Sequence, residues 1–220
     1  LYQSVPKFFG MKKESNIYNN NNNDIKQNNS KVKYWLYLQD ITANMSSPCI
    51  ADLKIGTRTY EINVPQIKQE RQKSLLKGTT SLSHAVRCID ICIRRNNNII
   101  QRWNRKNGRK MSWSDLQNAI EDFLSTKSKV EQFKDQIKNL RSNLVETYKT
   151  LPNMRLYSAS ILIVYDGDKE NGPLVVKLID FGHGYIDLAE EGGNIHDHTC
   201  DDNALLGIDN LLMAADSLLH

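Results

Sequence analysis

Apolar positions along this chain switch between a two-residue and a three-to-four-residue period, and the switches mark its elements. Val32-Lys33-Tyr34-Trp35-Leu36-Tyr37-Leu38 is aromatic and β-branched, which predicts a strand. The stretch before it, ending Val5-Pro6-Lys7-Phe8-Phe9-Gly10, reads as a strand end entering a turn. Between the two, residues 18–30 are Asn-rich and too polar to bury anything, so a loop joining two strands is expected. Cys49 to Tyr60 predicts a further strand, with Gly56 marking a bend or a close backbone approach. Pro65 suits a first helical position, and Gln66 to Lys77 predicts a surface helix with few apolar anchors, ended by Gly78.

Ile89, Ile91 and Ile93 alternate with polar or small residues, a strand pattern. Leu116, Ile120, Phe123 and Leu124 then form one helical stripe. Val130, Phe133, Ile137, Leu140, Leu144 and Tyr148 form a longer one, stopped by Pro152. Ser160 to Tyr165 and Leu174 to Phe181 predict a hairpin turning at Asp166-Gly167-Asp168. The return strand is almost continuously apolar until Asp180, so a buried carboxylate is expected there, costly unless it meets a cation. Leu205 to Leu219 predicts a closing amphipathic helix.

At 220 residues, 40% of them hydrophobic and 25% charged, the chain allows one ordinary domain or two unequal lobes sharing a cleft. Its longest apolar run, Ile161 to Tyr165, is far short of the ~18 residues of a membrane span, so no membrane partner is expected. The four cysteines have neither metal-ligand spacing nor a disulfide framework, and an intracellular setting, cytoplasm or nucleus, is expected.

The net charge of +4 conceals two opposed regions. Residues 58–110 hold thirteen Lys and Arg against three acids, and residues 160–220 hold twelve acids against two lysines. A basic middle calls for an anionic partner, and an acidic end offers metal ligands.

Two motifs carry chemistry. In Pro48-Cys49-Ile50-Ala51-Asp52-Leu53-Lys54-Ile55-Gly56, strand periodicity puts Asp52, Lys54 and Gly56 on one face. Phosphoryl transfer needs such parts: a carboxylate near the attacking oxygen and a cation on the transferred phosphate. An ordinary surface ion pair has the same spacing. In Leu178-Ile179-Asp180-Phe181-Gly182-His183, an aspartate ending a hairpin strand is placed as kinases place a Mg²⁺ ligand.

Taken together, these segments resemble the inositol polyphosphate kinase family. Pro48 to Gly56 matches its Pro-x-x-x-Asp-x-Lys-x-Gly signature at every fixed position. Tyr157 to Leu162 is similar to its Ser-Ser-Leu-Leu segment, with Ala159 and Ile161 as departures. Ile179-Asp180-Phe181 matches its Ile-Asp-Phe, and Gly207-Ile208-Asp209-Asn210-Leu211 is similar to its Gly-Leu-x-Asn-Leu helix. Lys106 to Ser112 resembles the Lys-x-x-Gly-Arg-x-Leu-Ser stretch of the hexakisphosphate kinases, one residue shorter. His84 and Ala85 stand where that family usually has Leu and Gly.

The resemblance implies an α+β, two-lobed, protein-kinase-like fold with antiparallel sheets and a small helical segment, residues 61–82, for the inositol phosphate. Residues 1–40 would be part of an N-terminal lobe and 41–220 the C-terminal lobe. The family's ATP-contacting lysine and covering hairpin would precede Leu1, so the chain is expected to be a fragment. The hinge would span Leu38 to Ile41, with Leu38 and Asp40 at ATP, a turn-forming role for Asp40 being the alternative. Asp180 would meet ATP through Mg²⁺, with Ser160 supporting the metal. Asp52 and Lys54 would be catalytic. The inositol phosphate would meet Lys54, Arg58, Lys68, Arg71, Lys73, Lys77 and His183, with Arg87 a further contact and Arg94, Arg95, Arg102 and Arg105 facing solvent.

The expected activity is transfer of the ATP γ-phosphate to inositol hexakisphosphate by a monomer that binds no nucleic acid. One alternative is a multikinase acting on ring hydroxyls of tris- and tetrakisphosphates. The other is a non-catalytic polyanion-binding module using residues 58–110, where aromatic platforms are sparse.

Overall fold

The computed structural model describes residues 2–15, 32–60, 64–185 and 202–219. Its architecture is organised by the strand that carries the first motif, β3 (Pro48–Ile55). This strand lies at the centre of a five-stranded sheet and is antiparallel to both neighbours. On one side are β4 (Val86–Arg95) and β5 (Asn98–Trp103). On the other are β7 (Ser160–Asp166) and β8 (Leu174–Ile179). Elsewhere β1 (Phe8–Ser15) pairs with β2 (Val32–Leu38), and β6 (Arg155–Leu156) pairs with β9 (Gly184–Tyr185), each as a separate two-stranded antiparallel sheet.

Alternation decides which way β3 faces. Cys49, Ala51, Leu53 and Ile55 are at most 1% exposed, while the residues between them are half-buried. Helices cover the inward face: α4 (Trp113–Leu124), α5 (Lys127–Thr150) and α6 (Asp202–Ser217). A capping box between Ser112 and Asp115 starts α4, and the Thr126 hydroxyl caps α5. Every residue of both predicted stripes is buried in the core, each worth ~1.5–3 kcal/mol of apolar transfer for its larger side chains. Two glutamines of α5 close the edge of the sheet. Gln132 accepts from the Leu174 amide and Gln136 from the Val176 amide, both at 2.9 Å, so β8 does not present open backbone groups there.

The sequence expectations need four adjustments. The chain starts with a 3₁₀ turn at Tyr2–Ser4, and the first strand begins at Phe8 rather than ending there, because residues 8–15 pair with β2. The strand at β3 stops at Ile55 instead of Tyr60. Gly56, with φ +92°, turns the chain so that its amide meets the Ala85 carbonyl at 2.8 Å. Pro65 caps helix α1 (Gln66–Leu76) from just outside it. Strand β5 was not foreseen. It returns along β4 through Asn96-Asn97, both left-handed (φ 48° and 60°), the geometry of a two-residue hairpin turn. The Asn-rich loop lies outside the described residues. No described helix is long and apolar enough to cross a membrane.

Candidate active site

The polar face of β3 carries Asp52 and Lys54, and its two neighbours fix what lies beside them. Register puts Arg87 of β4 opposite Lys54 on one side and Ser160 of β7 opposite it on the other. Ile179 of β8 lies opposite Ser160, and Asp180 follows at the strand's end. A band of chemistry therefore crosses four strands: Arg87, Lys54, Ser160, then Asp180.

Lys54 is held rather than free. Its Nζ donates to the Ser158 carbonyl at 2.9 Å and the Ser158 hydroxyl at 2.7 Å. Ser158 adopts φ 64°, and this left-handed turn is what aims both oxygens at the ammonium. Burial lowers the Lys54 pKa, opposed by the nearby Asp180 and Asp52 carboxylates. Burial raises the pKa of Asp52. The Ser160 hydroxyl opposes that rise, and the like charges of Asp180 and Asp90 add to it. Asp52, Lys54 and Asp180 thus sense one another, as the two motifs together require.

Asp180 corrects the expectation of a buried strand carboxylate. The strand ends at Ile179, and Asp180 takes φ 67°, a left-handed conformation that aspartate tolerates. That turn brings it out of the sheet, and the residue is exposed. Its carboxylate therefore avoids the desolvation cost and stands open to a ligand.

Two polar atoms near it stay unsatisfied. Asp52 Oδ1 and Ser160 Oγ are buried and neither completes a hydrogen bond of good geometry, although the Ser160 hydroxyl is close enough to the carboxylate to hold its pKa down. With the exposed Asp180 they form a set of hard oxygen donors, which suits Mg²⁺ bound through one or two carboxylates plus substrate phosphates and water. No group of three His, Cys, Asp or Glu among the described residues forms a cage complete without such a substrate.

Two cavities border the sheet here, one toward the hinge and one lined by members of this band. One, of about 460 Å³, is lined by Gln39, Asp40 and Ile41 after β2, by Met45 before β3, and by Val175 and Lys177 of β8. It occupies the predicted hinge. Leu38 itself is more than half exposed and does not line it. Asp40 does line it and also forms a turn: its Oδ1 accepts from the Thr42 amide at 2.8 Å and the Thr42 hydroxyl at 2.7 Å. Those two bonds hold its pKa below the ordinary carboxylate value.

The other cavity, of about 280 Å³, is lined by Lys54, Thr59, Gln72, Ser158 and His183 together with Arg87, Arg105 and Arg109. Of the predicted substrate residues, Lys54 and His183 line it. Lys68, Arg71 and Lys77 are exposed on or beside α1 and do not. Only Leu76 of that helix is buried, as its apolar-poor sequence requires. Arg58 is instead packed within 4.4 Å of the Tyr60 ring and 4.6 Å of the Tyr157 ring, with Lys73 5.8 Å from the Tyr60 ring centre. Charge counting had marked this stretch, but it could not separate ring-stacked and solvated cations from cavity ones.

Arg105 corrects another expectation, since it lines the cavity rather than only facing solvent. The signal was present. Asn104 is a strong helix-capping residue, and a helix starting there puts Arg105 and Arg109 four apart on one side.

A model of a protein family described as inositol polyphosphate kinase matches residues 35–216. The chain is 33% identical over 163 residues to inositol hexakisphosphate kinase 1 of Saccharomyces cerevisiae, covering 68% of this chain and 15% of that protein. It is 31% identical over 194 residues to the inositol polyphosphate multikinase of Schizosaccharomyces pombe, covering 80% of this chain and 66% of that one. It thus spans less than two thirds of either relative. The fold is similar to the crystal structure of an inositol phosphate multikinase from S. cerevisiae in complex with ADP and Mn²⁺. That match has a TM-score of 0.69 and 21% identity and covers 99% of this chain and 90% of that one.

Proposed function

We propose that this chain, which belongs to the inositol polyphosphate kinase family, transfers the γ-phosphate of ATP to inositol hexakisphosphate and so makes an inositol pyrophosphate. The observation that carries the reading is the convergence of Asp52, Lys54 and Asp180 beside an arginine-lined cavity, with a second cavity at the hinge. The hinge cavity takes the adenine and ribose, with Asp40 at its rim. Val175 in that cavity and Ile179 next to Asp180 are four residues apart, about 13 Å along β8, a span that an extended nucleoside triphosphate can bridge.

Each residue then has a task. Lys54, already aimed by Ser158, meets the transferring phosphate and neutralises charge as it moves. Asp180, with Ser160 and the free Asp52 oxygen nearby, would hold Mg²⁺. When bound, Mg²⁺ supplies charge neutralisation to the β- and γ-phosphate oxygens. Asp52 positions the acceptor oxygen. A phosphate acceptor is largely ionised at neutral pH, so the reaction needs little base from Asp52, whereas a ring hydroxyl would need more. The arginine-lined cavity receives the acceptor.

The test is incubation with ATP and Mg²⁺ and, separately, inositols bearing three to six phosphates, followed by identification of products. A pyrophosphate formed from the hexakisphosphate is the expected result. Turnover confined to tris- and tetrakisphosphates would make the chain a hydroxyl-directed multikinase. Tight polyanion binding without turnover of any of them would remove the kinase reading.

A further inference from the structure

Lys54 can serve a moving phosphate only if its ammonium is held in place, and the residue that holds it is itself under strain. Ser158 supplies both oxygens to the ammonium, yet it is a non-glycine residue at φ 64°. Such a conformation persists only where the surroundings enforce it. Tyr157 and Ser158 form the turn that links β6 to β7. On its far side the turn is fixed to β3, since the Ile55 amide donates to the Ala159 carbonyl at 2.9 Å. On its near side is Tyr157, only 5% exposed, and the cation packed on its ring is Arg58.

Arg58 belongs to the chain that leaves β3 just past Lys54, after the turn at Gly56. Its guanidinium carbon lies 4.6 Å from the Tyr157 ring centre and 4.4 Å from the Tyr60 ring centre. Its Nε donates to the Tyr60 carbonyl at 2.9 Å, which fixes the direction of the guanidinium. A planar, weakly hydrated guanidinium packs on aromatic faces in this way better than a compact ammonium does. Arg58 does not line the arginine-lined cavity, although Lys54 and its own neighbour Thr59 do. A closed path results: Lys54 to Ser158 by hydrogen bonds, Ser158 to Tyr157 by the chain, Tyr157 to Arg58 by ring packing, and Arg58 back to Lys54 by the chain.

We propose that Arg58 is a positioning residue for phosphoryl transfer: by packing on Tyr157 it holds the Ser158 turn, and through that turn it fixes the Lys54 ammonium. The proposal rests on the kinase reading for what Lys54 does, and on geometry alone for the clamp. Its chemistry predicts a split between rate and affinity. A loosened Lys54 keeps its charge and still attracts both substrates, so binding changes little. The transition state instead needs the cation at a fixed place, because preorganised charge requires no rearrangement as the phosphate moves.

Steady-state kinetics test the split. Arg58→Ala should lower kcat about tenfold and leave both KM values within about twofold. Arg58→Lys keeps a cation on the rings and should bring kcat back to within about threefold of wild type. Arg58→Gln, which keeps a donor but no charge, carries the same expectations as alanine if alanine unfolds the chain. A second readout needs no turnover: the rate at which an amine-acylating reagent labels Lys54, read by peptide mass spectrometry against the exposed Lys68. Labelling requires a free lone pair, which the two Ser158 bonds restrain. The ratio of Lys54 to Lys68 labelling should rise about fivefold in Arg58→Ala.

Inositol hexakisphosphate binding weakened about tenfold in Arg58→Ala, with kcat preserved, would make Arg58 a direct ligand of the acceptor and overturn the proposal. Unchanged labelling of Lys54 would overturn it too, as would a lysine variant no more active than alanine. Raised Lys54 labelling in a chain that phosphorylates no inositol would uphold the clamp while the kinase reading falls.

Discussion

The two faces of strand β3 share one backbone and differ in everything else. Cys49, Ala51, Leu53 and Ile55 face the helices and are sealed in the core. Asp52 and Lys54, which alternate with them, face a cleft where polar atoms stay unpaired and opposite charges are held just apart. Apolar contacts are non-directional and additive, so the core face is robust and chemically silent. The cleft face keeps desolvated groups that only a charged ligand completes, at some expense of stability. Position along the strand therefore separates what holds the molecule together from what it does. The two can be perturbed independently because a period-2 strand never lets adjacent side chains share a face.

The largest expected effect isolates the cleft. Asp180→Asn should lower phosphate transfer about a thousandfold while the melting temperature moves little. Asparagine tolerates the left-handed φ of 67° as well as aspartate does, and the residue is exposed, so the backbone has no reason to shift. Comparing initial rates with thermal unfolding checks this. Wild-type turnover in the variant would remove Asp180 from the reaction. The core face should answer in the opposite sense. Leu53→Ala removes a fully buried side chain and should cost about 3 kcal/mol in denaturant unfolding. Its rate per folded molecule should stay within about threefold of wild type. A rate collapse below the unfolding transition would mean that the two faces are mechanically coupled.

The same distinction explains what could be read from the residues alone. Burial periodicity is local, so both helical stripes, the β7–β8 hairpin and the alternation of β3 were legible directly from side-chain order. Asp52 and Lys54 were legible because strand geometry fixes their shared face. Asp180 was legible as a residue but not in its setting, because the end of an apolar run does not reveal that the backbone turns left-handed there. The cavity arginines were harder still. Charge density marks both α1 and the one-turn helix Arg105–Gly108, and only the tertiary approach at Gly108, where a Cβ would lie 2.2 Å from the Cys88 carbonyl oxygen, decides which cations reach the cleft. Strand β5 was missed because its middle residues are exposed, leaving an Asn-Asn turn as its only clear sign.

The smallest expected effect lies where the two faces begin. Asp166, at the end of β7, is opposite Pro48 and accepts from the Ser46 and Ser47 amides, both at 3.0 Å, and from the Asp168 amide at 3.2 Å. It also lines the hinge cavity, so it is common to the core entrance and that cavity. Burial alone would raise its pKa, but those amides, with Lys169 beside it, outweigh that and hold it at about 2. A carboxylate with a folded value below its unfolded 3.8 contributes stability above that unfolded value and loses it as pH falls toward the folded one. Asp166→Asn should therefore lower the melting temperature by about 3 °C at pH 7, and the gap to wild type should close between about pH 4 and pH 2. If the hinge cavity takes the nucleotide as proposed, the variant should also raise the KM for ATP more than that for the inositol phosphate, since Asp166 lines that cavity and not the arginine-lined one. A melting gap that is constant across that pH window would mean that the Asp166 charge does not hold the entry to β3. Equal changes in both KM values would mean that the disturbance spreads along the strand instead of staying at its hinge end.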